Sequence, residues 1–455
     1  MRPVLLILCL AAAFTGGGPL QASSDRLVVL ISIDGFPASL WRRMDSPTPN
    51  LRKLAAAGAQ ADAMTVANPS LTWPNHTTLI TGVSPRRHRV LFNGLLVRNG
   101  PGEAPAIDPR ATKEQLVHAP TVYDLAHAAG LRTGESNWVA VGGATTIDWR
   151  FPEFPKADDP LIAEMMKAGR LTPEELKGME WGQPTNLPWH DGIWMRGARY
   201  ILEMHRPNLL LYHILTTDST HHNYGPGNVA SFAALAFADR LVGELVRSVE
   251  ESGRMNETTF VITTDHGFKK VNRFAYPNVT LKKAGLLHAA GPRIAAADVC
   301  VRGGGGVAMV YITDPSRRAE LGPKVRELLA ANEGVAEVLP GSDGPSLGMP
   351  SPDEFEGMGD FILYPKDGYA FRDSATGEDE TGPAINYAGT HGAKASDPDL
   401  DGIFIASGKG VRSGATLPRI RNVDVAPTVA RLLGLTMEDV DGRILEEILV
   451  GSTGR

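Results

Sequence analysis

The stretch RLVVLISIDG, Arg26 to Gly35, decides the architecture. Its apolar run is broken only by Ser32. A strand covered on one face alternates apolar with polar residues. A nearly continuous apolar strand needs cover on both faces, as parallel strands between helices have. The run ends in Asp34 and Gly35, so a carboxylate stands at the strand's C-terminal end.

The pattern recurs. NLLLYHILTTDSTHH, Asn208 to His222, is a second buried strand and delivers Asp218. TTFVITTDHG, Thr258 to Gly267, is a third and delivers Asp265 and His266. DGIFIASGKGV, from Asp401, is a fourth. Helices fall between them. In TPNLRKLAAAG, Thr48 is placed to cap, Pro49 to start and Gly58 to stop. Phe232 to Gly253 is amphipathic, and RNVDVAPTVARLLGL closes the chain with a helix. Strands alternating with helices predict an α/β fold: a mainly parallel central sheet with helices on both faces. Ligands of such sheets bind beyond the C-terminal strand ends, where Asp34, Asp218 and Asp265 would meet.

Two segments lack this alternation. Pro152 to Trp194 reads as a loop insertion, and residues 270–385 as a smaller, inserted lid-like subdomain. That leaves 23–269 and 386–455 as the catalytic domain. The run Gly303 to Gly306 lacks a phosphate-loop lysine and hydroxyl residue, and reads as a flexible linker.

Residues 1–22 read as a signal peptide: Met1-Arg2, an apolar run from Val4 to Phe14, and a small-residue exit at Ala22. The run is shorter than the ~20 residues that span a bilayer, so no transmembrane segment is expected in the mature chain. Cys9 follows Leu8, which argues against lipid attachment. The protein is expected in the periplasm or secreted. Cys300 is then the lone cysteine, which rules out an internal disulfide framework and fits a small buried hydrophobe. A net charge of -6, with no basic run, excludes the electrostatic footprint of a nucleic-acid binder.

Carboxylates and imidazoles at neighbouring strand ends favour a borderline cation such as zinc. Asp218 and His222, four apart, share a face on a helical turn; His221 is an open alternative. Asp265 and His266 need a non-helical turn to reach one ion. His391, in YAGTHGAKA, is a further candidate. Two ions about 3.5–4 Å apart would clamp the attacking and leaving oxygens of a phosphoryl displacement. LTWPNHTTLITG, Leu71 to Gly82, places Thr72 at a helix start, as a plain cap or as a nucleophile activated by metal. Asn93, in HRVLFNG, is a phosphate-oxygen donor or simply an Asn-Gly turn.

In this order, ISIDG, TWPNHTTLITG, DSTHHNYGP, TTDHG and THG resemble the alkaline phosphatase superfamily, and most closely its type I phosphodiesterase/nucleotide pyrophosphatase family. The resemblance runs from about Arg26 to Leu435. It implies two zinc ions, one held by Asp34, Thr72, Asp265 and His266 and the other by Asp218, His222 and His391. It implies Thr72 as a nucleophile forming a phosphoryl-threonine, Asn93 as a phosphate contact, and a small phosphate-ester substrate such as a nucleotide. The sequence departs from the family at His221, usually Gly, and at Trp73, usually Phe, where the stacking of a base or leaving group would change. The sulfatase pattern fails, since no arginine follows in Thr72-Trp73-Pro74-Asn75-His76.

A phosphomonoesterase or phosphonate hydrolase on the same scaffold is the alternative. A monoester carries one more negative charge, for which Arg132, Arg150 and Lys156 are candidate cations. A non-catalytic, metal-stabilised binding protein is the remaining alternative, and the intact Thr72 argues against it.

Overall fold

The computed structural model describes residues 25–180, 182–183 and 186–451. The signal peptide expected at 1–22 lies outside them. The main sheet has eight strands: β1 (Leu27–Ile33), β2 (Ala59–Ala61), β3 (Thr133–Ser136), β4 (Trp149–Phe151), β5 (Leu209–Ile214), β6 (Thr258–Thr263), β7 (Phe404–Gly408) and β8 (Ala415–Leu417). Their order is β8-β2-β7-β6-β1-β5-β3-β4. The helices that matter here are α1 (Pro49–Ala57), α2 (Thr72–Thr81), α3 (Leu187–Tyr200), α4 (Thr216–Tyr224), α5 (Val229–Glu251) and α6 (Val425–Leu432).

All of β1 is buried. Leu27, Val29, Ile31 and Ile33 pack into the core on one face of the sheet. Val28 and Leu30 pack into the core on the other. Burying each large apolar side chain is worth roughly 1.5–3 kcal/mol, so both faces of β1 hold helices against the sheet. The pairings β6-β1-β5-β3-β4 are parallel. The fourth strand of the sequence reading, β7, is the exception and runs antiparallel to both β6 and β2. Its first residue, Phe404, therefore pairs with Thr263 at the C-terminal end of β6. This reversal lets the chain enter β7 from the same edge at which β1, β5 and β6 end.

Helix α1 has the predicted bounds, but the Thr48 side chain makes no capping bond. Asp239 of α5 does that work across the fold, accepting from the backbone N–H of Asn50 at 3.1 Å and of Leu51 at 2.8 Å.

The reading of Pro152 to Trp194 as a loop is corrected. This region forms helices Pro160–Lys167 and Pro173–Gly178 and the start of α3. Each has a proline in its first turn, where the missing N–H costs nothing. Thr172 and Glu175 form a capping box, and Asn186 accepts from Trp189 N. Leu161, Ile162, Met165 and Trp194 enter the main core. The helices are too short for a clear periodic signal, so their proline starts read as loop.

Between β6 and β7 a second body forms. Strands Val299–Gly304, Val307–Ile312, Phe361–Pro365 and Val335–Pro340 make an antiparallel sheet. It has its own core, which includes Cys300, Val310, Val325 and Leu363. Cys300 is a packed core residue, its thiol pushed up to about 12 by burial. The glycine run is not a flexible linker. Gly303 pairs with Ala308 and Gly304 with Val307 in a hairpin. A Cβ on Gly305 would lie 2.7 Å from Thr390 Oγ1, and one on Gly306 2.4 Å from Ala393 N. Close approach to the His391 segment is what demands glycine there. No helix among the described residues is long and apolar enough to cross a membrane.

Candidate functional site

The register aligns three carboxylates. Ile33 pairs with Ile214, and Ser32 with Thr263, so β1, β5 and β6 end together. Asp34 follows β1 directly. Asp218 sits in the first turn of α4, whose start is anchored by Asp191 of α3. The Asp191 carboxylate accepts from Leu215 N at 3.0 Å and Thr216 N at 2.8 Å, and burial pushes its pKa up to about 6. Asp265 and His266 occupy the non-helical turn after β6.

Three histidines present themselves in one way. His222 Nδ1 lies 3.0 Å from Gly389 O, His391 Nδ1 2.9 Å from Ser70 O, and His266 Nδ1 3.2 Å from Gly267 O. A carbonyl only accepts, so each Nδ1 carries the proton and each Nε2 offers a lone pair. Those Nε2 atoms converge on carboxylates. His222 and His391 lie 3.4 and 3.6 Å from Asp218 Oδ1. His266 lies 3.1 Å from Asp265 Oδ2 and 3.5 Å from Asp34 Oδ1.

Among the described residues, donor atoms within 4.8 Å of one another form two groups: Asp218, His222 and His391, and Asp34, Asp218 and His266. Asp34 Oδ1, Asp218 Oδ1, Asp265 Oδ2 and His266 Nε2 are buried without a hydrogen-bond partner. Buried polar atoms that converge unpaired are costly unless a cation fills the space between them. Burial, then the charge of Asp218, raises Asp34 well above the carboxylate range. Burial, then the charge of Asp34, does the same for Asp265. Burial lowers His266 well below its usual value and His391 to about 4, which keeps both neutral, the form that binds metal. The nitrogen and oxygen donors fit a borderline divalent ion. Asp265 stands outside both groups by distance, but its free oxygen faces His266.

His221 is turned away. Its Nδ1 lies 3.0 Å from Gly35 O and its Nε2 2.6 Å from Ser231 Oγ, so both nitrogens are engaged.

Thr72 is the first residue of α2, not its cap; Leu71 holds the cap position. The helix start is fixed from within. Asn75 Oδ1 accepts from Ala67 N, and its Nδ2 donates to Pro69 O and Leu71 O. His76 Nδ1 lies 2.9 Å from Thr72 O and 3.6 Å from Asp265 Oδ2, which ties this helix end to the carboxylates. Asn93 Oδ1 accepts from Trp73 N at 3.0 Å, so its amide Nδ2 is the group free to donate. Asn93 thus does more than form an Asn-Gly turn.

Several participants escaped the sequence reading. His213 of β5 reaches Asp34 Oδ2 with Nε2 at 3.0 Å, while its Nδ1 lies 3.0 Å from Asn137 O. A single histidine in the apolar run LLLYHI was the available signal. Phe268 presents its ring to His221, His222, His266 and His391. Tyr387 stacks on His222 at 5.0 Å. Conversely, Trp73 is half-buried against the apolar cluster that includes Val90, Ala111 and Val117, and it is not among the residues lining the cavity above the donor groups. A cavity of about 560 Å³ opens above the donor groups, and Phe92 and Tyr387 are its aromatic walls. Neither Arg132, Arg150 nor Lys156 lines it; Arg372 does. Arg150 faces Glu135 instead, at 3.5 Å.

The family model for Type I phosphodiesterase / nucleotide pyrophosphatase matches residues 28–394. The chain belongs to that family. Among family relatives, human ectonucleotide pyrophosphatase/phosphodiesterase family member 7 is 24% identical over 454 residues, 97% of this chain and 88% of that protein. The venom phosphodiesterase CdcPDE of Crotalus durissus collilineatus is 26% identical over 245 residues, 54% of this chain but only 26% of its own length. Human ectonucleotide pyrophosphatase/phosphodiesterase 5 shares the fold with a TM-score of 0.68 at 18% identity, covering 92% of this chain and 97% of that one. The murine counterpart, described as inactive with a threonine-to-alanine substitution and in complex with AMP, gives a TM-score of 0.68 at 16% identity. The family member described here thus has the alkaline phosphatase-like α/β fold, with one reversed strand in a mainly parallel sheet.

Proposed function

We propose that this chain is an exported, zinc-dependent phosphodiesterase that hydrolyses nucleotides or related diesters through a phosphoryl-threonine. The observation that carries the reading is the convergence of four partnerless buried donor atoms beside a helix that begins with Thr72. Asp34, Thr72, Asp265 and His266 would hold one ion, and Asp218, His222 and His391 the other. When bound, such a pair supplies Lewis-acid charge that lowers the threonine hydroxyl pKa and stabilises the leaving oxygen.

The chain's own residues do the rest. Thr72 Oγ1, its proton passed to solvent, attacks phosphorus; the Oγ1–P bond forms as the bond to the leaving oxygen breaks, and that oxygen takes up a proton from water. Water then attacks the same phosphorus, the Oγ1–P bond breaks, and the threonine regains a proton. The positive end of α2 favours the phosphate throughout. The Asn93 amide donates to a non-bridging oxygen. The AMP complex of the murine relative, inactive with its threonine replaced, supports a threonine-centred nucleotide chemistry. Residues 270–385 serve as the cap over the cavity, through the Gly303–Gly305 hairpin.

The expected result is a strong preference of the zinc-loaded protein for a p-nitrophenyl diester over the matching monoester, measured as a ratio of kcat/KM. A monoester preference would make the chain a phosphatase. Full metal occupancy with no turnover would favour the binding-protein alternative.

A further inference from the structure

We propose that Arg372 is a specificity-determining residue. It would bind a second anionic group on the leaving-group side, the phosphate adjoining the scissile one in a phosphoanhydride such as a nucleoside triphosphate. This rests on the phosphodiesterase reading above.

Among the described residues, Arg372 is the one arginine or lysine lining the cavity. Its guanidinium lies 4.5 Å from the ring centre of Phe274 and 4.5 Å from that of Tyr387. Those two rings are 5.3 Å apart and tilted by 45°, so the guanidinium lies over both from one side, a contact that leaves its N–H edge unused. Among the described residues, no hydrogen bond or ion pair engages that edge. The adjacent carboxylate, Asp373, faces Arg302 at 3.3 Å instead. A surface arginine stacked on one ring is ordinary. An arginine lying against two rings, on a cavity wall, with no counter-ion among the described residues, is an anion receptor.

The backbone beneath it is fixed. Phe371 N donates to Gly305 O at 2.8 Å and Gly305 N to Phe371 O at 3.0 Å, while Arg372 N donates to Ala275 O at 3.0 Å. The glycine hairpin thus pins the strand end that carries the arginine. Tyr387, the second ring against it, also stacks on His222. That places Arg372 beside the Asp218, His222 and His391 group, assigned above to the leaving oxygen. A p-nitrophenolate leaving group offers the guanidinium no phosphate. A pyrophosphate leaving group offers a bidentate one.

The test compares kcat/KM of the zinc-loaded protein on adenosine triphosphate and on bis(p-nitrophenyl) phosphate. Arg372→Gln is expected to lower the ratio of the first to the second about tenfold or more, the weight of a charge-assisted pair. Affinity for the non-hydrolysable α,β-methylene adenosine diphosphate, measured by calorimetry, should fall in step, and Arg372→Lys should recover part of both. Equal losses on the two substrates, or an unchanged ratio, would overturn the proposal and mark the arginine as packing for Phe274 and Tyr387. Wild-type protein that hydrolyses the diester but not the triphosphate would also overturn it, with the phosphodiesterase reading intact. Wild-type protein inactive on both would remove that reading and the proposal together.

Discussion

The floor and the roof of the cavity are built in opposite ways. On the floor, Asp34, Asp265 and His266 are wholly buried, and each histidine is tied to a backbone carbonyl. On the roof, Arg372 is exposed and held by aromatic stacking and a glycine hairpin. The floor is rigid because its donors must meet within a few ångströms, and burial keeps water from competing. On the function proposed above, the roof needs only to meet the far part of a substrate, so that chemistry is separated from selection.

The sharpest way to break this division is Thr72→Ala. Turnover should fall at least ~1000-fold, as for loss of a nucleophile, while metal measured by elemental analysis stays bound. Wild-type turnover would dismiss Thr72 as nucleophile. Next, His391→Ala should cost one of two bound metal equivalents after dialysis; unchanged content would mean another residue fills the place.

In β3, burial pushes Glu135 up to about 7, partly opposed by Arg150. Its ordinary value is 4.5. Between these values the folded chain keeps a proton that the unfolded chain has lost. Glu135 therefore stabilises the fold fully below about 4.5 and loses that contribution as pH rises to about 7. The shift corresponds to roughly 3 kcal/mol. Denaturant titrations at pH 5 and pH 8 should show Glu135→Gln flattening this dependence; an unaltered slope would place it elsewhere. The smallest effect is expected for His213→Gln, which leaves the ligands in place but loosens Asp34. Chelator competition should show metal affinity about 10–100-fold weaker, typical of a residue that orients a ligand. An affinity equal to wild type would reduce His213 to a packing role.

The apolar runs ending in Asp34, Asp218 and Asp265 made the floor legible, because a buried parallel strand cannot alternate and its end must face the ligand. His222 four residues after Asp218 was legible for the same local reason. His213 was not, since a buried histidine looks alike in sequence whether it packs or orients. Trp73, the departure expected to change stacking, is half-buried against an apolar cluster and is not among the residues lining the cavity, which local sequence could not foretell. Pro152 to Trp194 hid its helices behind their own proline starts.

The sequence by itself determined the strand-and-helix alternation, the donor residue types and the family, because these depend on periodicity and local chemistry. Only the tertiary structure decided that β7 runs backwards and brings His391 to the strand ends. It alone turned His221 onto Ser231 and set Arg372 against Phe274 and Tyr387. Those outcomes depend on contacts between residues far apart in the chain, and no local pattern encodes which partner a side chain will meet.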